Sequence, residues 1–293
     1  MKAGLCCALI TLLSLFAGAQ SAAPAISFKF TSFDYPGAIA TQPLGINNAD
    51  FIVGYYVDSA FVSHGFARSP NGRFVQIDYP QSTETLVFGI NDSNVAVGFY
   101  TDSPAAYQGF QFRYPNEFTT IDYPNGAATT PYGINDAGQI VGAWGTEPQQ
   151  GGFSLLNATY TDLSYPGAQL TYARGVNSAG LIVGSWVSTC NPDCQYHGFV
   201  LTAVGGTYSD VDYPGASMTY INGVNDLNQV AGYYDSPTGM HCWVGIPAKH
   251  QYVTADYPGS NGCFAGGITN KGHLAGSYAD ANNVTHGFLA VPQ

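Results

Sequence analysis

At one register of the chain stand six aromatic residues: Tyr56, Tyr100, Trp144, Trp186, Tyr234 and Tyr278. Rings of this kind can stack on sugars and other flat, partly apolar ligands; they can equally fill the wedges between packed sheets. An acidic residue follows each one: Asp58, Asp102, Glu147, Asp193, Asp235 and Asp280. Carboxylates gathered on one face could meet a basic partner or a hard cation such as calcium. They also serve as solvated turn caps, and no D-x-D-x-D-G loop marks a calcium cage. Nucleophilic chemistry finds no handle, because G-x-S-x-G, a P-loop and a sialidase-type S-x-D-x-G-x-T-W box are all absent. Neither a metal nor a cofactor is expected, and no catalytic residue is assigned.

These residues share a register because the chain is a repeat. Asp-Tyr-Pro, once Ser-Tyr-Pro, begins at Asp34, Asp78, Asp122, Ser164, Asp212 and Asp256. Nine residues after each Pro comes Gly45, Gly89, Gly133, Gly175, Gly223 or Gly267, and nine further on Gly54, Gly98, Gly142, Gly184, Gly232 or Gly276. Length varies elsewhere, mainly between the second Gly and a His-Gly-Phe triplet. Each copy reads as four strands, a to d. Strand a runs through the first Gly into an Asn/Asp/Gly-rich hairpin turn. Strand b is a short apolar run, buried on both faces. Strand c carries His-Gly-Phe, and strand d alternates before ending at Pro-Gly or Pro-Asn, as a type II turn requires. A second aromatic set in strand d, Phe30, Phe74, Phe118, Tyr160, Tyr208 and Tyr252, reads as core.

Four short strands in about 44 residues match a propeller blade. The expected fold is all-β, a single six-bladed β-propeller domain over residues 20–293. Its blades fall at about 40–80, 84–124, 128–166, 170–214, 218–258 and 262–290. The phase of the repeat predicts closure: a lone strand d at 28–35 precedes blade 1, and the last blade lacks that strand. Joining the two removes the exposed edges of an open stack. In such a ring the a–b turns share one face, and the b–c and d–a loops share the other.

On a symmetric scaffold a special site should break the symmetry. Arg174 and Asn222 do so, standing where other copies have Leu44, Phe88, Tyr132 and Gly266, as does the longer loop from Val187 to Tyr196. Arg174 is the only basic residue on any predicted strand a, the strand lining the axis. It is the first choice for a polar site in the channel; pairing with a nearby Asp is the plainer role. The strand-c His residues, His64, His197, His241 and His286, are expected to hold neighbouring backbone rather than metal.

Charged residues are only 9% of the chain, and the formal charge is −11. That balance argues against nucleic acid or an anionic membrane as partner. Lys2, an apolar stretch from Leu5 to Ala17 and the small residues Ala17-Gly18-Ala19 have the layout of a secretory signal peptide over 1–19; cleavage after Ala23 is disfavoured by Pro24. Four Cys remain beyond it. In an exported chain they read as disulfides, Cys190 with Cys194 and Cys242 with Cys263. The Cys-Asn-Pro-Asp-Cys loop has no second ligand pair for zinc.

The motifs Asp-Tyr-Pro-Gly, Gly-Ile-Asn-(Asp/Asn)-x-Gly-x-Ile-Val-Gly and His-Gly-Phe at His64, His197 and His286 resemble those of the bacterial extracellular repeat proteins named for a His-Ala-Phe motif (HAF repeats), over about residues 28–290. The chain departs from that motif: Gly replaces Ala, Gln108 and Gly151 replace the His, and His241-Cys242-Trp243 stands in the fifth copy. The resemblance implies secretion and no particular activity. The function expected from the repeat is a secreted, non-catalytic, monomeric module binding an extracellular glycan or protein on the b–c/d–a loop face. The alternative is a carbohydrate-active hydrolase or lyase with one asymmetric pocket near the axis.

Overall fold

The computed structural model describes residues 26–102, 107–124, 128–146, 149–188 and 194–293. The expected signal segment lies outside them. The chain opens with β1 (Phe28–Phe33). Blade 1 comprises β2 (Ala40–Ile46), β3 (Ile52–Val57), β4 (Ser63–Arg68) and β5 (Phe74–Ile77). Blade 2 comprises β6 (Glu84–Ile90), β7 (Val95–Thr101), β8 (Tyr107–Arg113) and β9 (Glu117–Ile121). Blade 3 is β10 (Thr129–Ile134), β11 (Ile140–Thr146), β12 (Gln149–Leu156) and β13 (Thr159–Leu163). Blade 4 is β14 (Leu170–Val176), β15 (Ile182–Val187), β16 (Tyr196–Leu201) and β17 (Tyr208–Asp210). Blade 5 is β18 (Met218–Val224), β19 (Val230–Ser236), β20 (Gly239–Ile246) and β21 (Gln251–Thr254). Blade 6 is β22 (Gly262–Ile268), β23 (Leu274–Ala279) and β24 (Thr285–Pro292), completed by β1. All six sheets are four-stranded and antiparallel, and together they make a six-bladed β-propeller. Its closure is the one read from the repeat phase: Phe28 pairs with Pro292, and Phe33 with Gly287.

The core lies between blades. Each strand c contributes one large ring with no exposed surface: Phe66, Phe110, Phe153, Phe199, Trp243 or Phe288. The strand-d aromatics pack edge-on against these rings, as Phe74 does on Phe66 at 5.6 Å and Phe118 on Phe110 at 5.5 Å. Burying each strand-c ring contributes roughly 1.5–3 kcal/mol.

Strand a carries a β-bulge in every blade, between Pro43 and Gly45, Val87 and Gly89, Pro131 and Gly133, Ala173 and Gly175, Ile221 and Gly223, and Ala265 and Gly267. A bulge leaves one residue unpaired and re-aims its side chain. Here the six bulged residues are Leu44, Phe88, Tyr132, Arg174, Asn222 and Gly266, which line the axis. The Gly after each bulge is a packing necessity: a Cβ on Gly45 would lie 2.5 Å from the Phe88 carbonyl oxygen of the next blade.

On the a–b turn face the blades are tied by a ladder of buried amides. Asn47 Oδ1 accepts the backbone N–H groups of Ala49 and Phe51 in its own turn, while its Nδ2 donates to the Asn91 carbonyl one blade on. Asn91, Asn135, Asn177 and Asn225 pass the same bond onward as far as Thr269.

Cys242 and Cys263 form a disulfide. It joins strand c of blade 5 to strand a of blade 6, at positions held elsewhere by Gly and Thr. In the other five junctions that Thr accepts the N–H of the Asp-Tyr-Pro tyrosine, as Thr41 does from Tyr35 at 2.9 Å. Cys194 is also disulfide-bonded. Cys190, its expected partner, lies outside the described residues. Among the described residues no helix is long and apolar enough to cross a membrane.

Candidate functional site

The six register aromatics lie between blades with one or both flat faces covered. The tyrosine of each Asp-Tyr-Pro turn stacks on the strand-b aromatic that follows: Tyr35 on Tyr56 at 3.7 Å, Tyr79 on Tyr100 at 3.6 Å, and Tyr257 on Tyr278 at 3.6 Å. Tyr123 covers Trp144, Tyr165 covers Trp186, and Tyr213 covers Tyr234 in the same way. The second face meets the strand-c residue. His64 lies over Tyr56, His197 over Trp186 and His241 over Tyr234. Gly151 leaves room for the Trp144 indole, and Gln108 accepts the Tyr100 hydroxyl proton at 2.8 Å. These rings are inter-blade mortar, with little flat surface left for a ligand.

The strand-c histidines hold carboxylates, where the sequence pointed to backbone. His64 Nδ1 lies 2.8 Å from Asp78, His197 Nδ1 2.9 Å from Asp212, His241 Nδ1 2.7 Å from Asp256, and His286 Nδ1 3.0 Å from Asp34. Each pair ties strand c to the Asp-Tyr-Pro turn. Among the acidic candidates, Asp58 and Asp280 cap their b–c turns. Hydrogen bonds from the Val62 and Ala60 N–H groups, with His64 beside it, hold the Asp58 carboxyl below the usual carboxylate range. Val284, Asn282 and His286 do the same for Asp280. Burial pushes Asp235 upward. Asp102 is exposed, and Glu147 and Asp193 lie outside the described residues. Asp58, Asp102, Asp235 and Asp280 sit in four separate blades.

Arg174 and Asn222 meet at the axis. They occupy adjacent bulges, in blades 4 and 5. The Arg174 guanidinium lies over two tyrosine faces, 4.9 Å from the Tyr132 centroid and 5.5 Å from that of Tyr172. Among the described residues no carboxylate comes within ion-pair distance of it, so the plainer role, pairing with an Asp, is not what the structure displays. Its Nε is buried without a hydrogen-bond partner. Asn222 Nδ2 donates to the Ala265 carbonyl at 2.9 Å, but its Oδ1 is buried and unpartnered, as is Ser185 Oγ on strand b of blade 4.

Around this floor the loop-face end of the axis is walled by aromatics. One run passes from Tyr196 to Tyr220 (4.8 Å), Tyr233 (4.2 Å) and Phe264 (5.1 Å). Opposite, Phe88 contacts Tyr132 at 5.0 Å and Phe99 at 5.7 Å. The channel below holds only about 70 Å³. Ligand pockets usually span roughly 300–1,000 Å³, so the channel itself takes no more than a few waters; the aromatic rim at its loop-face end is called the basin below. Burial raises the Tyr132, Tyr172, Tyr220 and Tyr233 hydroxyls well above the usual phenol range, despite the opposing field of Arg174. They are hydrogen-bonding groups at neutral pH, and none is activated as a base.

The basin tyrosines were not legible as a set. Tyr172 and Tyr220 stand where other blades have Gln42, Leu86, Thr130 and Phe264, so a search for repeated residues passes over them. Departure from the repeat was the usable signal, and it marked Arg174 and Asn222. Two larger grooves, about 520 Å³ between blades 5 and 6 and about 320 Å³ between blades 1 and 2, open on the turn face. Their walls are mainly apolar, and no unpartnered buried polar atom lines either.

No family model and no curated protein matches the chain. Solved structures do, as folds. TolB from Acinetobacter baumannii aligns with TM-score 0.58 at 10% identity, over 84% of this chain and 64% of that one. The chain thus spans less than two thirds of TolB. A gluconolactonase from Xanthomonas campestris aligns with TM-score 0.53 at 11% identity, over 87% and 89% of the two chains. The Aleuria aurantia lectin aligns with TM-score 0.52 at 6% identity, over 85% and 91%. At these identities the likeness is one of fold. The protein is thereby defined as a six-bladed β-propeller.

Proposed function

We propose that this protein is a secreted, non-catalytic binding module that takes an extracellular glycan in the aromatic basin at the loop-face end of its axis. The observation that carries the reading is the break in the repeat at the axis, where the Arg174 guanidinium lies over the Tyr132 and Tyr172 rings without an ion-pair partner among the described residues. Aromatic faces suit the apolar faces of sugar rings, and a few polar groups in an apolar wall set orientation. Secretion rests on the signal-like N-terminus and the disulfides, and kinship with the HAF-repeat proteins on the shared motifs. Acidity weighs against nucleic acid and anionic membranes, and a monomer is the simplest assembly. The fold neighbours include a lectin solved with Fucα1-6GlcNAc, which supports the reading by analogy of fold only. The rival, a hydrolase or lyase, needs an acid and a base beside the reacting bond. The groups around Arg174 are tyrosines raised away from neutral pH, with Asp235, itself raised by burial, acting on Tyr220 and Tyr233; one raised acid without a paired base favours binding over catalysis.

A glycan array is the test. Wild-type protein should bind a defined glycan subset at micromolar concentration, and Tyr220→Ala should lose it while a rim variant, Asp102→Asn, keeps it. An empty array, or binding untouched by Tyr220→Ala, sinks the proposal.

A further inference from the structure

We propose that the turn-face groove between blades 1 and 2 binds a free, unbranched fatty acid, its carboxylate on Arg73 and its chain running along β5 toward Ile77. The site lies on the face opposite the basin and is independent of the glycan reading. Three observations carry it. First, the groove is a departure from the repeat. Three residues before each Asp-Tyr-Pro or Ser-Tyr-Pro, strand d exposes Thr31, Thr119, Thr161 or Ser209, but blades 1 and 5 have half-buried Val75 and Val253. Each of these residues pairs across to strand c. Four of the pairs hold at least one polar side chain: Thr31 with Leu289, Gln111 with Thr119, Ser154 with Thr161, and Val200 with Ser209. The two wholly apolar pairs, Ala67 with Val75 and Val244 with Val253, line the two large grooves. Apolar surface that other junctions do without marks a contact with something else. Second, polarity runs one way along the groove between blades 1 and 2. Residues 73, 75 and 77 alternate onto one side of the chain. Arg73 is exposed at the turn end, Val75 is half-buried, and Ile77 is 2% exposed. Phe51, Ile90 and Phe112 complete the apolar wall. A ligand charged at one end and apolar at the other matches that gradient. Third, the charged end must be an anion. No carboxylate lines the groove, and among the described residues none comes within ion-pair distance of Arg73. Ser69 Oγ is engaged in its own turn, and Asn94 Oδ1 accepts from Asn47. The guanidinium fork suits the two oxygens of a carboxylate. The groove between blades 5 and 6 has Gln251 at the position of Arg73, and its cation, Lys271, is a point charge on the a–b turn rather than a fork. The volume sets the chain length: about 320 Å³ takes about ten water-sized groups at roughly 30 Å³ each, so a chain of about eight to ten carbons fills it.

The test is titration calorimetry with decanoate, octanoate, hexanoate, decanol and decylammonium, each below the concentration at which it aggregates. Decanoate should bind once per chain. Each pair of methylenes removed should weaken binding by about tenfold, a series that needs no variant protein. Decanoate should bind about fivefold or more tighter than decanol, and decylammonium weakest of the three. Two variants borrow residues from other copies of the repeat at the same positions, so the ring has a precedent for each. Arg73→Gln, as Gln251, should bring decanoate down to the affinity of decanol. Val75→Thr, as Thr119, should weaken decanoate and decanol alike, whereas Val253→Thr in the other groove should leave both unchanged. The inference is overturned if decanoate does not bind, if it binds at many sites per chain, or if affinity does not follow chain length. It is equally overturned if decanol or decylammonium binds as well as decanoate, if Arg73→Gln keeps the preference, or if Val253→Thr rather than Val75→Thr weakens binding. The glycan reading stands or falls separately, because Tyr220→Ala should leave decanoate binding intact and Arg73→Gln should leave the glycan array unchanged.

Discussion

The junction between blades 5 and 6 offers the sharpest test of how the ring is held. At the junction between blades 1 and 2, Gly65, Ile77, Thr85 and Val87 meet, and a Cβ on Gly65 would lie 2.4 Å from the Ile77 carbonyl oxygen and 2.8 Å from Val87 Cγ2. Between blades 5 and 6 the same four positions hold Cys242, Ala255, Cys263 and Ala265. The two Ala residues are small where the two sulfur atoms need room, and all four are buried. The disulfide closes a loop of sequence separation 21, for which chain-entropy arguments give about 3 kcal/mol. A Cys242→Gly/Cys263→Thr variant restores the repeat residues. It loses that term and leaves a void beside Ala255 and Ala265, but regains the Thr-to-tyrosine N–H bond, worth about 1 kcal/mol. Adding Ala255→Ile and Ala265→Val should refill the void and recover roughly 1–2 kcal/mol more. Thermal unfolding followed by circular dichroism should therefore rank wild type above the fourfold variant, and that above the twofold one. The twofold variant should fall by roughly 5–10 °C, taking about 2–4 °C per kcal/mol for a chain of this size. If the fourfold variant melts below the twofold one, the junction is not an exchange of one packing solution for another. If the twofold variant melts with the wild type, the disulfide contributes nothing measurable.

Three further perturbations follow from the same geometry. Gly45→Ala drives a Cβ to 2.5 Å from the Phe88 carbonyl and should cost about 2–3 kcal/mol, read as a lowered urea midpoint; an unchanged midpoint would mean the axial strands have slack. Gln81 has φ +67° where Gly37, in the same turn of another copy, has +82°. Gln81→Gly should stabilise by about 0.5–1 kcal/mol, and a loss of stability would refute the strain argument. Burial pushes Tyr160, Tyr208, Tyr123 and Tyr165 up to about 12, and Tyr172 and Tyr220 higher still. Because these folded values lie above the unfolded one, their stabilisation is complete below about pH 10 and is lost as pH rises toward 12 and beyond. Phenolate absorbance should thus lag in the folded protein and jump on alkaline unfolding; full ionisation near pH 10 with the far-ultraviolet spectrum intact would contradict it.

The fold was legible because its rules recur six times. Two glycines at fixed spacing mark where backbones nearly touch, at the axis for Gly45 and against the Gln42 carbonyl for Gly54. The orphan strand at 28–33 foretold its partner at 285–292. The role of the strand-c histidines was harder to read, because a His fourteen residues before an Asp, as His64 is before Asp78, gives no hint that the ring will reach that carboxylate rather than backbone. The basin was hardest. Its tyrosines come from strands a and c of blade 4 and strands a and b of blade 5, and only the packing of those two blades brings Tyr172, Tyr196, Tyr220 and Tyr233 together.

Repetition and function pull on this chain in opposite directions, and the residues divide accordingly. What the blades share is spent on holding the ring: the stacked tyrosines and axial glycines of all six, the His–Asp pairs of four and the Asn ladder donated by five each tie strands or neighbouring blades together. A ring of identical blades would place six identical residues at the axis, and a charge there would face five copies of itself. Leu44, Phe88, Tyr132, Arg174, Asn222 and Gly266 escape this because a bulged residue is unpaired, so its side chain can change without disturbing the ladder. One cation can then sit among tyrosines with no like charge at the same level. The bulge thus frees this position to vary while the glycine beside it stays fixed, and the only basic side chain lining the axis among the described residues occupies it.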